Sequence, residues 1–163
     1  VAILPIRRFP DPVLKEKALP VEKIDKEIKK LIKNMAETMY DAPGVGLAAN
    51  QVGVLKQIVV IDVDDELLSL VNPKITFYSD EIEDGEEGCL SVGAEIQIVI
   101  PRSAQVAVEA LNQRGEKIEI EAEGMLARAL QHEIDHINGI TILDRTSPEE
   151  KRRALRELST LLR

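Results

Sequence analysis

The sequence predicts an α+β fold, and three observations carry that prediction. An apolar stripe at helical spacing occupies residues 28–39, strand-type patterns fill residues 58–122, and helical spacing returns over residues 126–137. With 163 residues, 44% of them hydrophobic, the chain can bury one substantial core and is short for two, so it reads as a single domain over residues 1–163.

The chain starts as an extended, proline-punctuated stretch. Asp25 can then cap a helix whose stripe is Ile28, Leu31, Ile32, Met35 and Met39, a core face that runs out near Asp41-Ala42-Pro43. The string Gly44-Val45-Gly46-Leu47-Ala48-Ala49-Asn50-Gln51 follows. Ile58 to Val63 is a short continuous apolar run of strand type, and Leu68 to Val71 is a second strand, expected to stop at Asn72-Pro73. Acidic residues crowd positions 80–87 and lead into Glu87-Gly88-Cys89-Leu90-Ser91, read as loop-like. Strands resume at Glu95 to Ile100 and at Ala104 to Leu111, and a turn falls at Gln113-Arg114-Gly115. In Lys117 to Ala122 the apolar Ile118, Ile120 and Ala122 alternate with charged residues, as a strand with one wet face requires. Gly124 breaks that pattern. Leu126, Leu130, Ile134 and Ile137 then mark a helix ended by Asn138-Gly139. Ser147-Pro148 is a capped start for a closing helix carrying Leu155, Leu158 and Leu162.

Composition narrows the function classes. A formal charge of -8, from 29 acidic against 21 basic residues, works against general binding to nucleic acid or to an anionic membrane surface. No apolar run is long enough to span a bilayer. One cysteine cannot form an internal disulfide, and the first residues show no signal-peptide pattern, so a soluble, reducing compartment fits.

Both histidines of the chain fall in His132-Glu133-Ile134-Asp135-His136. On a helix, residues four apart share a face, so both imidazoles can reach one metal ion while Glu133 points to its open side. Met125, Ala129, His132, Glu133 and His136 share one side of the wheel, and Leu126, Leu130, Ile134 and Ile137 form the neighbouring core stripe. Two partly exposed histidines on an amphipathic helix are the bland alternative, but the chain uses histidine nowhere else. A hydrolytic metal needs three protein ligands and a place for water. The third ligand is open between a carboxylate and Cys89, whose soft sulfur favours ferrous iron or zinc over magnesium. Gln51 follows a stretch with little side-chain bulk, where another chain can approach closely. A flexible loop ending in a surface glutamine fits the same string.

Taken together, Gly44 to Gln51, Glu87-Gly88-Cys89-Leu90-Ser91 and Gln131-His132-Glu133-Ile134-Asp135-His136 resemble the three signature motifs of the peptide deformylase family, in that family's order and at similar separations. The resemblance spans nearly the whole chain. It implies antiparallel β-sheets packed around a central HExxH-bearing helix, with an N-terminal and a C-terminal helix. It also implies a metal-dependent amidohydrolase that removes the formyl group from N-formyl-methionyl nascent peptides and releases formate. Cys89, His132 and His136 would bind one divalent metal ion per chain, natively Fe2+, with Zn2+, Ni2+ or Co2+ as replacements. Glu133 would take a proton from a water whose pKa the metal lowers towards ~7. Gln51 and the Leu90 backbone N–H would hold the developing oxyanion. The peptide would add as a strand near Val45 and Gly46, and Val45, Met125 and Ala129 would line the methionine pocket, with Arg128 at the rim and its charge in water.

Many family members have an apolar residue and then proline after the cysteine motif, whereas this chain has Val92-Gly93-Ala94. Asp135 lies off the Glu133 side of the wheel, which favours a structural contact over catalysis. In the closing helix Lys151, Arg152, Arg153, Arg156 and Arg163 oppose Glu149, Glu150 and Glu157. Similar helices in some family members dock on the ribosome, and a solvated helix face is the other reading. The family likeness points to a bacterial-type cytoplasm, with an organelle open if a transit peptide was removed, and to a monomer. A zincin-like metallopeptidase and a domain with a purely structural zinc are the competing readings. The zincin normally supplies histidine or glutamate where this chain offers cysteine, and a structural zinc normally takes four protein ligands.

Overall fold

The computed structural model describes residues 2–161. Four helices and seven strands follow in the order α1 (Lys26–Asp41), β1 (Gly46–Ala48), β2 (Ile58–Val63), β3 (Glu66–Tyr78), β4 (Ile82–Cys89), β5 (Gly93–Ser103), β6 (Gln105–Leu111), β7 (Lys117–Glu123), α2 (Gly124–Ile137), α3 (Ile142–Arg145) and α4 (Pro148–Leu161). Short 3-10 turns occupy Pro12–Lys15 and Ala49–Val52. All strand pairs are antiparallel. They form one five-stranded sheet ordered β1-β2-β3-β6-β7 and one two-stranded sheet, β4-β5.

The apolar run of β2 is continuous because helices cover both of its faces. Val59 and Ile61 point into a cluster with Leu130, Ile134 and Ile137 of α2. Ile58 and Val60 point the other way, against Ile28, Ile32, Met35 and Met39 of α1. A third cluster joins Ile96, Ile98 and Ile100 of β5 to Ile142, Leu143, Ala154 and Leu158 of α3 and α4. The stripes expected of α1 and α2 are thus core. The α1 cap holds as well, with the Asp25 side chain accepting from Ile28 N–H at 3.0 Å. At the other end Ser147 Oγ accepts from Glu150 N–H at 3.1 Å and Pro148 opens α4, while Leu162 and Arg163 lie outside the described residues.

Two expectations are corrected. The second strand does not stop at Asn72-Pro73, and β3 runs through both residues to Tyr78. A register irregularity between Val71 and Lys74 takes up the proline, which has no N–H to offer the ladder. The Asn72 carboxamide bonds Val21 N–H at 2.8 Å and the Val21 carbonyl at 2.9 Å, in the manner of a neighbouring strand. Nor is the cysteine string a loop throughout. β4 extends to Cys89, which pairs with Gly93, and only 90–92 turn between the strands, closed by Val92 N–H on the Cys89 carbonyl at 3.1 Å. Gly93 sits at φ +134°, a conformation that side-chain-bearing residues rarely adopt, so the residue that departs from the family pattern is the one this turn requires.

Candidate active site

Three separate pieces of chain meet at the cavity. Helix α2 brings His132, Glu133 and His136, all nearly buried, because its opposite stripe is packed into the five-stranded sheet. The end of β4 brings Cys89 and Leu90. The turn after β1 brings Gln51, which is 1% exposed, so the surface-glutamine alternative falls. Gln131 fastens α2 to the smaller sheet: its carboxamide accepts from Ser103 N–H at 3.1 Å and donates to the Ser103 carbonyl at 2.9 Å.

Cys89 Sγ, His132 and His136 each offer a ligand atom, and the three atoms lie within 4.8 Å of one another. Sγ and His136 Nε2 are 3.3 Å apart. A tetrahedral ion with bonds of about 2.0–2.3 Å spans such an edge, and two imidazoles with one thiolate are the donors that zinc or ferrous iron takes. The residues therefore fit a metal. Burial pushes the Cys89 thiol pKa up, but His136 and His132 more than offset that and hold it well below its ordinary value, in the direction that favours a thiolate. His132 pKa is lowered by burial and raised more by Glu133, Cys89 and Glu87, for a net rise.

Glu87 sets the orientation of His132. Its Oε1 lies 2.9 Å from His132 Nδ1, which leaves the Nε2 side towards the sulfur and Glu133. Arg102 grips the same carboxylate with two bonds of 3.0 Å and reaches Asp135 at 2.6 Å, and Asp135 also takes two bonds from Arg145. Asp135 is therefore the structural contact expected of it. Burial opposes the Glu87 charge, yet His132 and Arg102 hold its pKa down to about 2. Arg128 borders the cavity as expected, but its charge is not left to water. Instead of extending into water it bonds Glu87 at 2.7 Å and the carbonyls of Ile100 and Glu83 at 2.8 and 2.9 Å. A carboxylate and two carbonyls aimed at one guanidinium outbid hydration.

Glu133 is different. It is 4% exposed, its Oε1 has no partner among the described residues, and burial raises its pKa. A Cβ on Gly46 would stand 2.4 Å from Glu133 Oε2, so the glycine makes room for this carboxylate as well as for anything else approaching β1. Gln51 is oriented from both ends: Oε1 accepts from Ala48 N–H at 2.9 Å, and Nε2 donates to Ser91 Oγ at 3.0 Å with Cys89 Sγ at 3.8 Å. With its oxygen occupied by Ala48, the amide places its nitrogen beside Ser91 and Cys89 at the cavity wall. That cavity holds about 300 Å³. Val45, Gly46, Gln51, Leu90, Met125, Ala129, His132 and Glu133 all line it, so every substrate and catalytic residue expected from sequence borders one space. Strand β1 is the edge of its sheet and faces this cavity with Val45 and Gly46.

Sequence reasoning missed the roles of Glu87 and Arg102. Glu87 stood inside the cysteine motif, and its place two residues before a candidate ligand was the signal available. Nothing in the sequence marked Arg102.

The polypeptide deformylase family profile matches residues 3–152. A peptide deformylase from Natranaerobius thermophilus is 51% identical over 146 residues, covering 89% of this chain and 93% of that protein. The crystal structure of a peptide deformylase from Legionella pneumophila superposes with a TM-score of 0.93 at 43% identity, covering 99% of this chain and 96% of the other. One from Ehrlichia chaffeensis, solved in complex with actinonin, has a TM-score of 0.94 at 38% identity, covering 100% and 99%.

Proposed function

The chain belongs to the polypeptide deformylase family, and from that premise we propose which of its residues perform the reaction. It is a metal-dependent hydrolase that removes the N-formyl group from the formyl-methionine of newly synthesised polypeptides and releases formate. We assign Cys89, His132 and His136 as ligands of one divalent ion, Fe2+ natively, with Zn2+, Ni2+ or Co2+ able to replace it. When bound, the metal supplies Lewis acidity and lowers the pKa of a water towards ~7.

The rest falls to side chains and backbone. Glu133, in a dry pocket that raises its pKa, takes the proton as the water attacks the formyl carbon. The carbonyl oxygen gains negative charge and accepts bonds from Gln51 Nε2 and Leu90 N–H. One donor of this kind is worth about 2.7–4 kcal/mol of barrier. Glu133 then returns its proton to the departing amine. The peptide lies extended along β1 at Val45 and Gly46, where main-chain bonds tolerate many sequences, and its methionine enters the space bordered by Val45, Met125 and Ala129. Actinonin, bound by the Ehrlichia relative, is expected to occupy the same cavity.

The observation that carries this reading is the pairing of an oriented Gln51 amide with a buried Glu133, whose Oε1 has no hydrogen-bond partner among the described residues, beside three ligand atoms. A structural zinc gives no reason for either, and a cysteine ligand disfavours the zincin-like peptidase. Anaerobic formate release from a formyl-Met peptide by iron-loaded protein tests it. Release that is absent with acetyl-Met or formyl-Gly substrates is expected, and no release from folded, metal-loaded protein would overturn it.

We also propose that one domain acts as a monomer, since every assigned group comes from a single chain, in a cytoplasm like that of its bacterial relatives. Ribosome contact through α4 is supported by Lys151, Arg152 and Arg156, which are exposed; Arg153 is taken by Glu150 and Glu157. Cosedimentation with ribosomes that charge reversal at Lys151 and Arg156 abolishes is the expected result.

A further inference from the structure

The proline-punctuated start of the chain bonds to α1, to the Gln51 turn, to Ser91 and to the end of α2. Ala2 N–H donates to Asn34 Oδ1 at 3.1 Å and Leu4 N–H to Thr38 Oγ1 at 2.8 Å, which fastens the segment to α1. Arg7 N–H then donates to the Gln51 carbonyl at 2.6 Å, and Phe9 N–H to the Ser91 carbonyl at 2.7 Å. Further on, the Glu16 carbonyl accepts from Asn50 Nδ2 at 2.8 Å, and Ala18 N–H donates to the Ile137 carbonyl at the end of α2, also at 2.8 Å. Leu4 packs against the cluster of Met39 and Leu47, and Phe9 against the cluster that holds Cys89.

Gln51 follows a strand of the five-stranded sheet, whereas Leu90 and Ser91 follow a strand of the two-stranded sheet, and among the described residues no strand pairing joins the two sheets. A single oxygen has to reach both proposed donors at about 2.7–3.1 Å, so their spacing must be fixed across that gap. The side-chain bond from Gln51 Nε2 to Ser91 Oγ crosses it once. Residues 7 and 9 cross it through the main chain, holding the carbonyls of Gln51 and Ser91 by N–H groups only two residues apart in sequence.

We propose that residues 7–9 are a brace that sets the distance between the two oxyanion donors, which makes Arg7 and Phe9 positioning residues for the reaction. The inference rests on the assignment of Gln51 and Leu90 as those donors. The metal ligands have supports of their own, Cys89 in β4-β5 pairing and the histidines on α2, and the brace touches them only through the packing of Phe9 against the cluster that holds Cys89. Loosening it therefore acts on kcat, where the oxyanion is stabilised, and spares both metal binding and the main-chain bonds that set KM.

Two variants test the brace. A chain beginning at Pro10 lacks both bonds but keeps the core residues Leu14 and Ala18. Thr38→Val releases the far end without touching the cavity. Expected for the shortened chain are a kcat lower by about 100-fold, as a misplacement of ~1 Å produces, and a KM within about threefold. It should also keep one metal ion per chain and exchange hydrogen faster at the N–H groups of Gly53 and Val54, which close the Gln51 turn. Thr38→Val should show the same pattern at about fivefold. Unchanged kcat in the shortened chain, or activity lost only in step with metal, overturns the proposal. If that chain does not fold, wild-type kcat in Thr38→Val overturns it. Gln51→Leu, run beside them, separates the two ideas. Full kcat there removes the donor assignment, whereas loss there with none in the shortened chain removes only the brace.

Discussion

Glu87 and Glu133 are buried carboxylates on opposite sides of His132, and their surroundings drive them apart. Glu87 faces the junction of β4, β5 and α2, where His132, Arg102 and Arg128 use both of its oxygens and hold its pKa down to about 2. Glu133 faces the cavity over Gly46, one oxygen has no partner among the described residues, and burial raises its pKa. The same chemical group is thus a fixed anion in one region and, in the role proposed for Glu133, a proton carrier in the other. Neighbours that satisfy a carboxylate remove it from chemistry, and neighbours that only dry it prepare it for proton transfer.

Exchanging each group's charge for an amide puts that division to the test. Glu133→Gln should keep its metal and fold while losing about 10²–10⁴-fold or more in kcat, measured as formate release. A variant that stays active would end Glu133's role as proton carrier. Arg102→Met strikes the other region. It leaves Glu87 facing only His132 and Arg128 inside the protein, and should cost about 3–5 kcal/mol of stability in urea unfolding. Glu87→Gln is expected to weaken metal binding by about 10–100-fold in chelator competition, because His132 loses the carboxylate that orients it. Equal metal affinity in the Glu87→Gln and Glu133→Gln proteins would contradict the contrast.

The smallest effect is one of pH. The folded Glu87 pKa lies below its ordinary value of 4.5, so its contribution to stability is fully present above 4.5 and is lost as pH falls towards about 2. The difference in unfolding free energy between metal-free wild type and Glu87→Gln should therefore shrink across that window. Metal-free protein is required, because a bound ion would add its own proton linkage.

Legibility in the sequence followed distance along the chain. Helix α2 and its histidines could be read because residues 132 and 136 meet by helical spacing alone, and the apolar stripes of α1 and α2 could be read for the same reason. Cys89 was open against the carboxylates until three motifs were considered together. Arg102 gave no signal, since its partners Glu87 and Asp135 lie 15 and 33 residues away on other elements. Arg128 was placed at the pocket but its charge was assigned to water, because a helical wheel shows which side a residue occupies but not what waits there.

By itself the sequence determined the α+β class, the motif-bearing helix and the family, since local periodicity and short motifs are properties of neighbouring residues. Tertiary structure alone decided that Glu87 is an anchored anion and that Glu133 is a buried carboxyl with one oxygen free of hydrogen bonds among the described residues. It also decided that the cysteine string ends a strand and that the first residues tie Gln51 to Ser91. Each of these depends on which distant groups arrive at a carboxylate or a carbonyl, and burial and ion pairing belong to that arrival rather than to the order of the chain.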